Sequence, residues 1–173
     1  MTRWLALLRG INVGKARRMA MADWRELLQA QGCRDVKSVL NSGNAVFEHA
    51  CSDARLLGEQ LQRGLGARFG FEPRLTLRSI DKLRAEVEAM PWQVDDGSRL
   101  LLAFAREAAD LRPAEALLAR DWGPDRLQLR GAVAYLWCEA GVLDSPLSQA
   151  FSKLIGEQCT LRNWSTVNKC LLA

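Results

Sequence analysis

"DVKSVLNSGNAVFEH", residues Asp35 to His49, sets two β-rich segments on either side of Asn41, Ser42, Gly43 and Asn44. Asparagine, serine and glycine supply the positive φ and the local hydrogen bonds of a hairpin turn. What flanks this hairpin decides the fold. Upstream, "MADWRELLQAQG" from Met21 places Trp24, Leu27, Leu28 and Gln31 at helical spacing and stops at Gly32. Downstream, "DARLLGEQLQRGLGARFG" repeats Leu57, Leu61 and Leu65 and ends in glycines. Before the first helix, Trp4 to Arg9 is nearly all apolar, as a central strand covered on both sides requires. After the second, "PRLTLRS" alternates Leu75 and Leu77 with polar neighbours, as an edge strand would. The predicted order is βαββαβ, the ferredoxin-like plait.

The second half echoes that order. "SIDKLRAEVEAMPW" predicts a connecting helix with Ser79 as its cap and Pro91 closing it, and "QVDDGS" is a polar boundary. Then come "RLLLAFA" as a strand, "RPAEALLAR" as a helix with Pro113 early in it, and "DRLQLRGAVAYLWCE" as a hairpin about Arg130 and Gly131. "SPLSQAFSKLIG" is a helix capped by Ser145 with Pro146 behind it. The last stretch, "TLRNWSTVNKCLLA", draws as a helix from near Thr160, with Leu161, Trp164, Val167 and Leu171 on an apolar side and Arg162, Thr166 and Lys169 on a basic one. A short strand over Gln158 to Leu161 is the alternative. The expected class is α+β, with two ferredoxin-like (α/β-plait) domains and a C-terminal helix. Residues 1–79 form the first domain, 80–97 a linker helix and loop, and 98–173 the second domain.

Composition bounds what such a chain does. Its 173 residues are 49% hydrophobic and 25% charged, a globular balance far from that of disorder. No apolar run approaches the roughly 18 to 20 residues that span a bilayer, and the N-terminus lacks a small-residue cleavage site. A membrane role is not expected. Five scattered cysteines without a C-x-x-C pair indicate neither a disulfide framework nor a zinc site, and suit a cytoplasmic location. No metal or cofactor is expected. The net charge of +4 favours anionic partners mildly, but its distribution is uneven: Arg3, Arg9, Lys15, Arg17 and Arg18 stand between Met1 and Ala22 with no acid among them.

Plait topology sets the end of strand one beside the start of strand three, so Arg9 to Lys15 is expected to face the Asn41–Asn44 turn. Glycine amides at Gly10, Gly14 and Gly43 can approach a ligand, Asn12, Ser42 and Asn44 can hydrogen-bond it, and Arg9 and Lys15 supply charge. The same glycines and asparagines equally serve turns and caps. A Walker loop is not expected, because three residues rather than four separate Gly10 from Gly14 and Ala16 replaces the Mg²⁺-binding hydroxyl. A standard RNA-recognition sheet is not expected either, since Asn44 and Val46 stand where aromatic platforms belong. His49, the single histidine, has no serine or cysteine partner assignable to it. Trp164 suits either stacking on a ring or anchoring a core.

The segments "ALLRGINVGK", "NSGNAVFE" and "TLRNWSTVNK" resemble, in order and spacing, the hallmark segments of the uncharacterised bacterial family DUF1697. The resemblance implies a cytoplasmic bacterial protein of two ferredoxin-like domains and supplies no reaction. Its shared residues fall on Arg9 to Gly14, Ser42 to Asn44 and Arg162 to Trp164; Lys15 stands where many members have a second glycine. The preferred expectation is a protein that binds an anionic small molecule or nucleotide between the strand-one loop, the Asn41–Asn44 turn and the C-terminal helix. Arg9 and Arg162 would clamp the anion, while Asn12, Ser42, Asn44 and Asn163 orient it, beside Trp164 and Thr166. The alternatives are a nucleic-acid module that uses the basic Arg3 to Arg18 region on phosphates without reading sequence, and a scaffold or self-association protein in which the polar residues tie domains together.

Overall fold

A computed structural model describes residues 1–14 and 17–173, so Lys15 lies outside the described residues. The described residues fall into two compact units. One comprises Met1–Ala85 with Lys169–Ala173, and the other Glu86–Asn168.

The first unit runs β1 (Thr2–Arg9), α1 (Met21–Ala30), β2 (Arg34–Val39), β3 (Asn44–His49), α2 (Ala54–Phe69) and β4 (Arg74–Ser79). Its antiparallel sheet has the order β2-β3-β1-β4, the plait predicted from the sequence. Period-two alternation in β1 sends Trp4, Ala6 and Leu8 to the helix side, where they meet Trp24 and Leu28 of α1 and Leu57, Leu61 and Leu65 of α2. Leu5 and Leu7, on the other face, are equally buried, as the unbroken apolar run required. β4 lies at the sheet edge as expected, yet Thr76 and Arg78, which its alternation offered to solvent, are buried.

The second unit repeats the topology with β5 (Leu100–Ala105), a 3-10 turn (Ala108–Ala114), α4 (Glu115–Leu118), β6 (Arg126–Arg130), β7 (Val133–Trp137), α5 (Pro146–Ile155) and β8 (Cys159–Asn163), in the order β6-β7-β5-β8. Three sequence expectations are corrected here. The helix predicted at "RPAEALLAR" is a 3-10 turn followed by one α-helical turn, because Glu107 and Asp110 form a capping box that starts it upstream of Pro113. The hairpin turns on Gly131 and Ala132, since Arg130 still pairs with Val133.

The third correction bears on the site. Thr160 does not open a helix; it pairs with Phe104 in β8, and α6 begins at Trp164 (Trp164–Leu172). β8 supplies the ladder partner that β5 would otherwise lack along one side. The proposed single helical face therefore dissolves: Arg162 is a strand residue, Thr166, Val167 and Cys170 are buried, and Lys169 is exposed.

α3 (Ile80–Glu88) and α6 each contain a boundary between the units. Ser79 Oγ accepts from the Lys82 amide at the start of α3 (3.3 Å), the cap predicted from the sequence. At its other end, Tyr135 donates its hydroxyl to the Glu86 carbonyl and Arg130 donates to that of Ala89. These contacts satisfy carbonyls that a helix end leaves open. Burial foremost, with the Glu86 carboxylate adding, pushes the Tyr135 hydroxyl up to about 12, so it remains a donor.

Candidate functional site

The loop after β1 and the turn between β2 and β3 do come together. Leu7 pairs with Asn44, and the Leu8 amide donates to the Gly43 carbonyl at 3.1 Å. Gly43 has φ +78°, and a Cβ there would stand 2.7 Å from both Leu8 Cβ and Ile11 Cδ1. Only glycine permits this turn to lie so close to the strand end.

The asparagines hold that arrangement. Asn12 Nδ2 donates to the Met19 carbonyl (2.9 Å) and across to the Asn41 carbonyl of the turn (2.8 Å), while its Oδ1 accepts from the Met19 amide (2.9 Å). The fully buried Asn44 donates from Nδ2 to the Val39 carbonyl and to Ser42 Oγ, each at 2.9 Å. Both hydrogens of each amide thus have acceptors within the fold. Gly10 and Gly14 take positive φ (74° and 64°), and no atom lies within 4 Å of where a Gly14 Cβ would be.

Strand register also recruits charges that motif reading passed over. Arg9, half-buried at the end of β1, is the direct cross-strand neighbour of the half-buried Arg74. Alternation puts Arg9 with Leu5 and Leu7, and Arg74 with Thr76 and Arg78, on the sheet face opposite the helices. Asn44, opposite Leu7, shares that face. Like charges directly opposite are unfavourable in a ladder, and both arginines also engage other groups of the fold. The signal was present as Arg74-x-Thr76-x-Arg78, a period-two polar row.

The remaining candidates belong to the second unit. Asn163 Oδ1 accepts from the Thr166 amide (2.9 Å), which makes it the N-cap of α6. The Ser165 amide donates to the Gly97 carbonyl (3.3 Å), and a Cβ on Gly97 would stand 2.7 Å from Ser165 Oγ and 2.9 Å from Trp164 Cδ1. Gly97, in the polar boundary "QVDDGS", is thus where that segment meets the start of α6. Arg162 Nη1 donates to the Leu161 carbonyl at 2.9 Å.

Other chemistry finds little to build on. His49 Nδ1 accepts from the Cys51 amide (3.0 Å), so its hydrogen sits on Nε2, 3.3 Å from the Gln31 carbonyl. Burial pushes the Cys33 thiol up to about 12 and raises that of Cys138, the reverse of what a nucleophile requires. Among the described residues, no three His, Cys, Asp or Glu side chains gather as a metal site, and no helix is long and apolar enough to cross a membrane.

The family model for proteins of unknown function DUF1697 matches residues 1–135, which contain both the β1 loop and the Asn41–Asn44 turn. The chain belongs to this family. The Arg162 to Trp164 segment lies beyond the matched residues. Among solved structures, the chain is similar to the conserved bacterial protein SP0830 from Streptococcus pneumoniae, with 28% identity and a TM-score of 0.83 over 99% of this chain and 97% of that one. No curated protein matches it.

Proposed function

We propose that this protein binds a small molecule bearing a phosphate or carboxylate at the loop end of its first unit. The opposition of Arg9 and Arg74 across β1 and β4 carries the reading. Cross-strand register puts both basic residues on one sheet face at the loop end, where their charge favours an anionic ligand. Asn12, Ser42, Gly43 and Asn44 shape the rim by joining loop to turn. Charge-assisted hydrogen bonds contribute about 1.5 to 3 kcal/mol each, and association costs about 4 to 15 kcal/mol. A bare anion therefore binds weakly, and a physiological ligand adds contacts beyond its charged group.

A thermal-shift screen against nucleotides, sugar phosphates, coenzymes and short nucleic acids tests this reading. A ligand should raise the wild-type melting temperature, and Arg9→Ala or Arg74→Ala should abolish the rise. No response from wild type to any compound would remove the proposal. If short DNA and RNA bind instead, with affinity falling steeply as salt rises, the nucleic-acid alternative takes its place.

The engaged amides of Asn12 and Asn44 favour a second reading for those two residues, in which they act as ties within the fold. Their replacement would then lower stability and change ligand response only through it.

A further inference from the structure

We infer that β6 of the second unit is a docking edge for an extended acidic segment of another protein, which adds to the four-stranded sheet as a further strand. The inference does not depend on the anion-binding reading above. β6 ends the strand order β6-β7-β5-β8, and among the described residues no backbone partner meets its outer side. The open amides and carbonyls of such an edge accept another strand unless the fold obstructs it. The other edges are obstructed or covered. β4 is buried along most of its length, and β8 is buried at Cys159 and Thr160. β2 is bulged between Arg34 and Lys37, where Asp35 takes φ +46° and pairs its carboxylate with Arg3 (3.1 Å) and Lys37 (3.8 Å). β6 has no bulge and no acid: Arg126 to Arg130 pair one to one with Trp137 to Val133.

Charge selects the occupant. Alternation puts Arg126, Gln128 and Arg130 on the face opposite the helices, whereas Leu127 and Leu129 pack against the core of the unit. Both arginines are exposed, and Arg126 has no ion-pair or hydrogen-bond partner among the described residues. Arg130 donates to the Ala89 carbonyl and keeps the rest of its fork. Neighbouring acids are engaged elsewhere. Asp125 is buried and accepts from the Ser145 hydroxyl (2.7 Å) and the Glu139 amide (2.9 Å), while Glu139 accepts from the Trp137 indole (2.7 Å) and pairs with Arg99 (3.7 Å). A second copy of the chain fits poorly, because antiparallel pairing of two β6 strands over their full length sets Arg126 of each against Arg130 of the other, like charge on like charge. A strand with acids four residues apart instead places a carboxylate opposite each arginine, and apolar residues between them continue the row of Leu127 and Leu129. The pattern this edge reads is acid, apolar, polar, apolar, acid.

The test titrates the full chain, at constant ionic strength and up to millimolar concentration, with two end-blocked peptides: Ser-Asp-Val-Thr-Val-Asp-Ser and its counterpart with lysine in place of both aspartates. Amide chemical shifts and hydrogen exchange are the readouts. The acidic peptide should bind roughly tenfold more tightly than the basic one, shift the amides of Arg126 to Arg130 and slow the exchange of those on the outer side. N-methylation of the peptide's backbone amides should abolish binding, whereas a purely electrostatic contact would survive it. Arg126→Glu, at an exposed position, should leave the melting temperature nearly unchanged and erase the preference between the two peptides. Adding Arg130→Glu should reverse it. Failure of the acidic peptide to bind wild type, equal affinity for both peptides, an undiminished preference in Arg126→Glu, or binding that survives N-methylation overturns the inference. So does exchange protection of β6 that grows with protein concentration alone, which would assign the edge to a second copy.

Discussion

The two sheets share one strand order, yet the ends of their central strands are chemically opposite. In the first, β1 ends with Arg9 facing Arg74; at the corresponding end of the second, Ala105 of β5 faces Cys159 of β8, both fully buried. The apolar pair shows that this topology closes without charge at that place. The first unit puts two basic residues at that place, and such a departure from the apolar pair is where a functional site is sought. The corresponding hairpins differ in the same way. Each turn bonds to the end of its central strand, Gly43 accepting from the Leu8 amide (3.1 Å) and Ala132 from the Ala105 amide (3.0 Å), but only the first packs its glycine tightly, since no atom lies within 4 Å of where a Gly131 Cβ would be.

The hairpin glycines put the sharpest test to that contrast. Gly43→Ala meets both a positive φ and two contacts at 2.7 Å, and should cost about 3 kcal/mol in chemical denaturation. Gly131→Ala, at φ +54° in open space, bears only the conformational cost, about 1 kcal/mol. Equal losses would mean that the Asn41–Asn44 turn is no more tightly bound to its sheet than an ordinary hairpin.

How far each unit could be read from sequence follows from where its signals lie. The first plait was legible because an apolar β1, two helices at leucine spacing and a glycine-bearing turn each have one assignment. β8 was not, because Cys159 to Asn163 is short and Leu161 suits both a strand and the helical phase of Trp164 and Val167. Cross-strand pairing with β5 decided between them, and that is tertiary information. The approach of the β1 loop to the turn followed from topology alone. Arg74 did not, because only strand register brings it beside Arg9. Asn12 and Asn44 were recognised by type, but whether an amide serves a ligand or its own loop depends on acceptors that only folding supplies.

Those acceptors set the next expectation, which compares a buried tie with a helix cap. Asn44→Ala removes two hydrogen bonds from a fully buried side chain and leaves the Val39 carbonyl without that donor, so a loss of about 2 kcal/mol is expected. Asn163→Ala removes one capping bond at the start of α6 and should cost about 1 kcal/mol. Urea midpoints of the two variants, measured with slopes that match wild type, give the ranking. Its reversal would assign the greater structural role to the β8–α6 junction and weaken the view of Asn44 as a tie.

The smallest effect separates the two helix caps by pH. Asp53 caps α2 by accepting from the amides of Arg55 (2.8 Å) and Leu56 (3.0 Å), whereas the amide oxygen of Asn163 that caps α6 does not titrate. The Leu56 hydrogen bond foremost, opposed in part by desolvation and aided by the amide and charge of Arg55, holds the Asp53 carboxyl below its ordinary value of 3.8. A carboxyl depressed in the folded state contributes stability that is fully present above its unfolded pKa and disappears as pH falls through its folded one. Wild type should therefore lose a small increment of stability below about pH 4 that Asp53→Asn, which keeps the acceptor without the charge, does not lose. In pH-dependent denaturation the difference between the two proteins should be constant at neutral pH and shrink towards acid. A difference that instead grows on acidification would show that the Asp53 carboxylate is not stabilised by its cap.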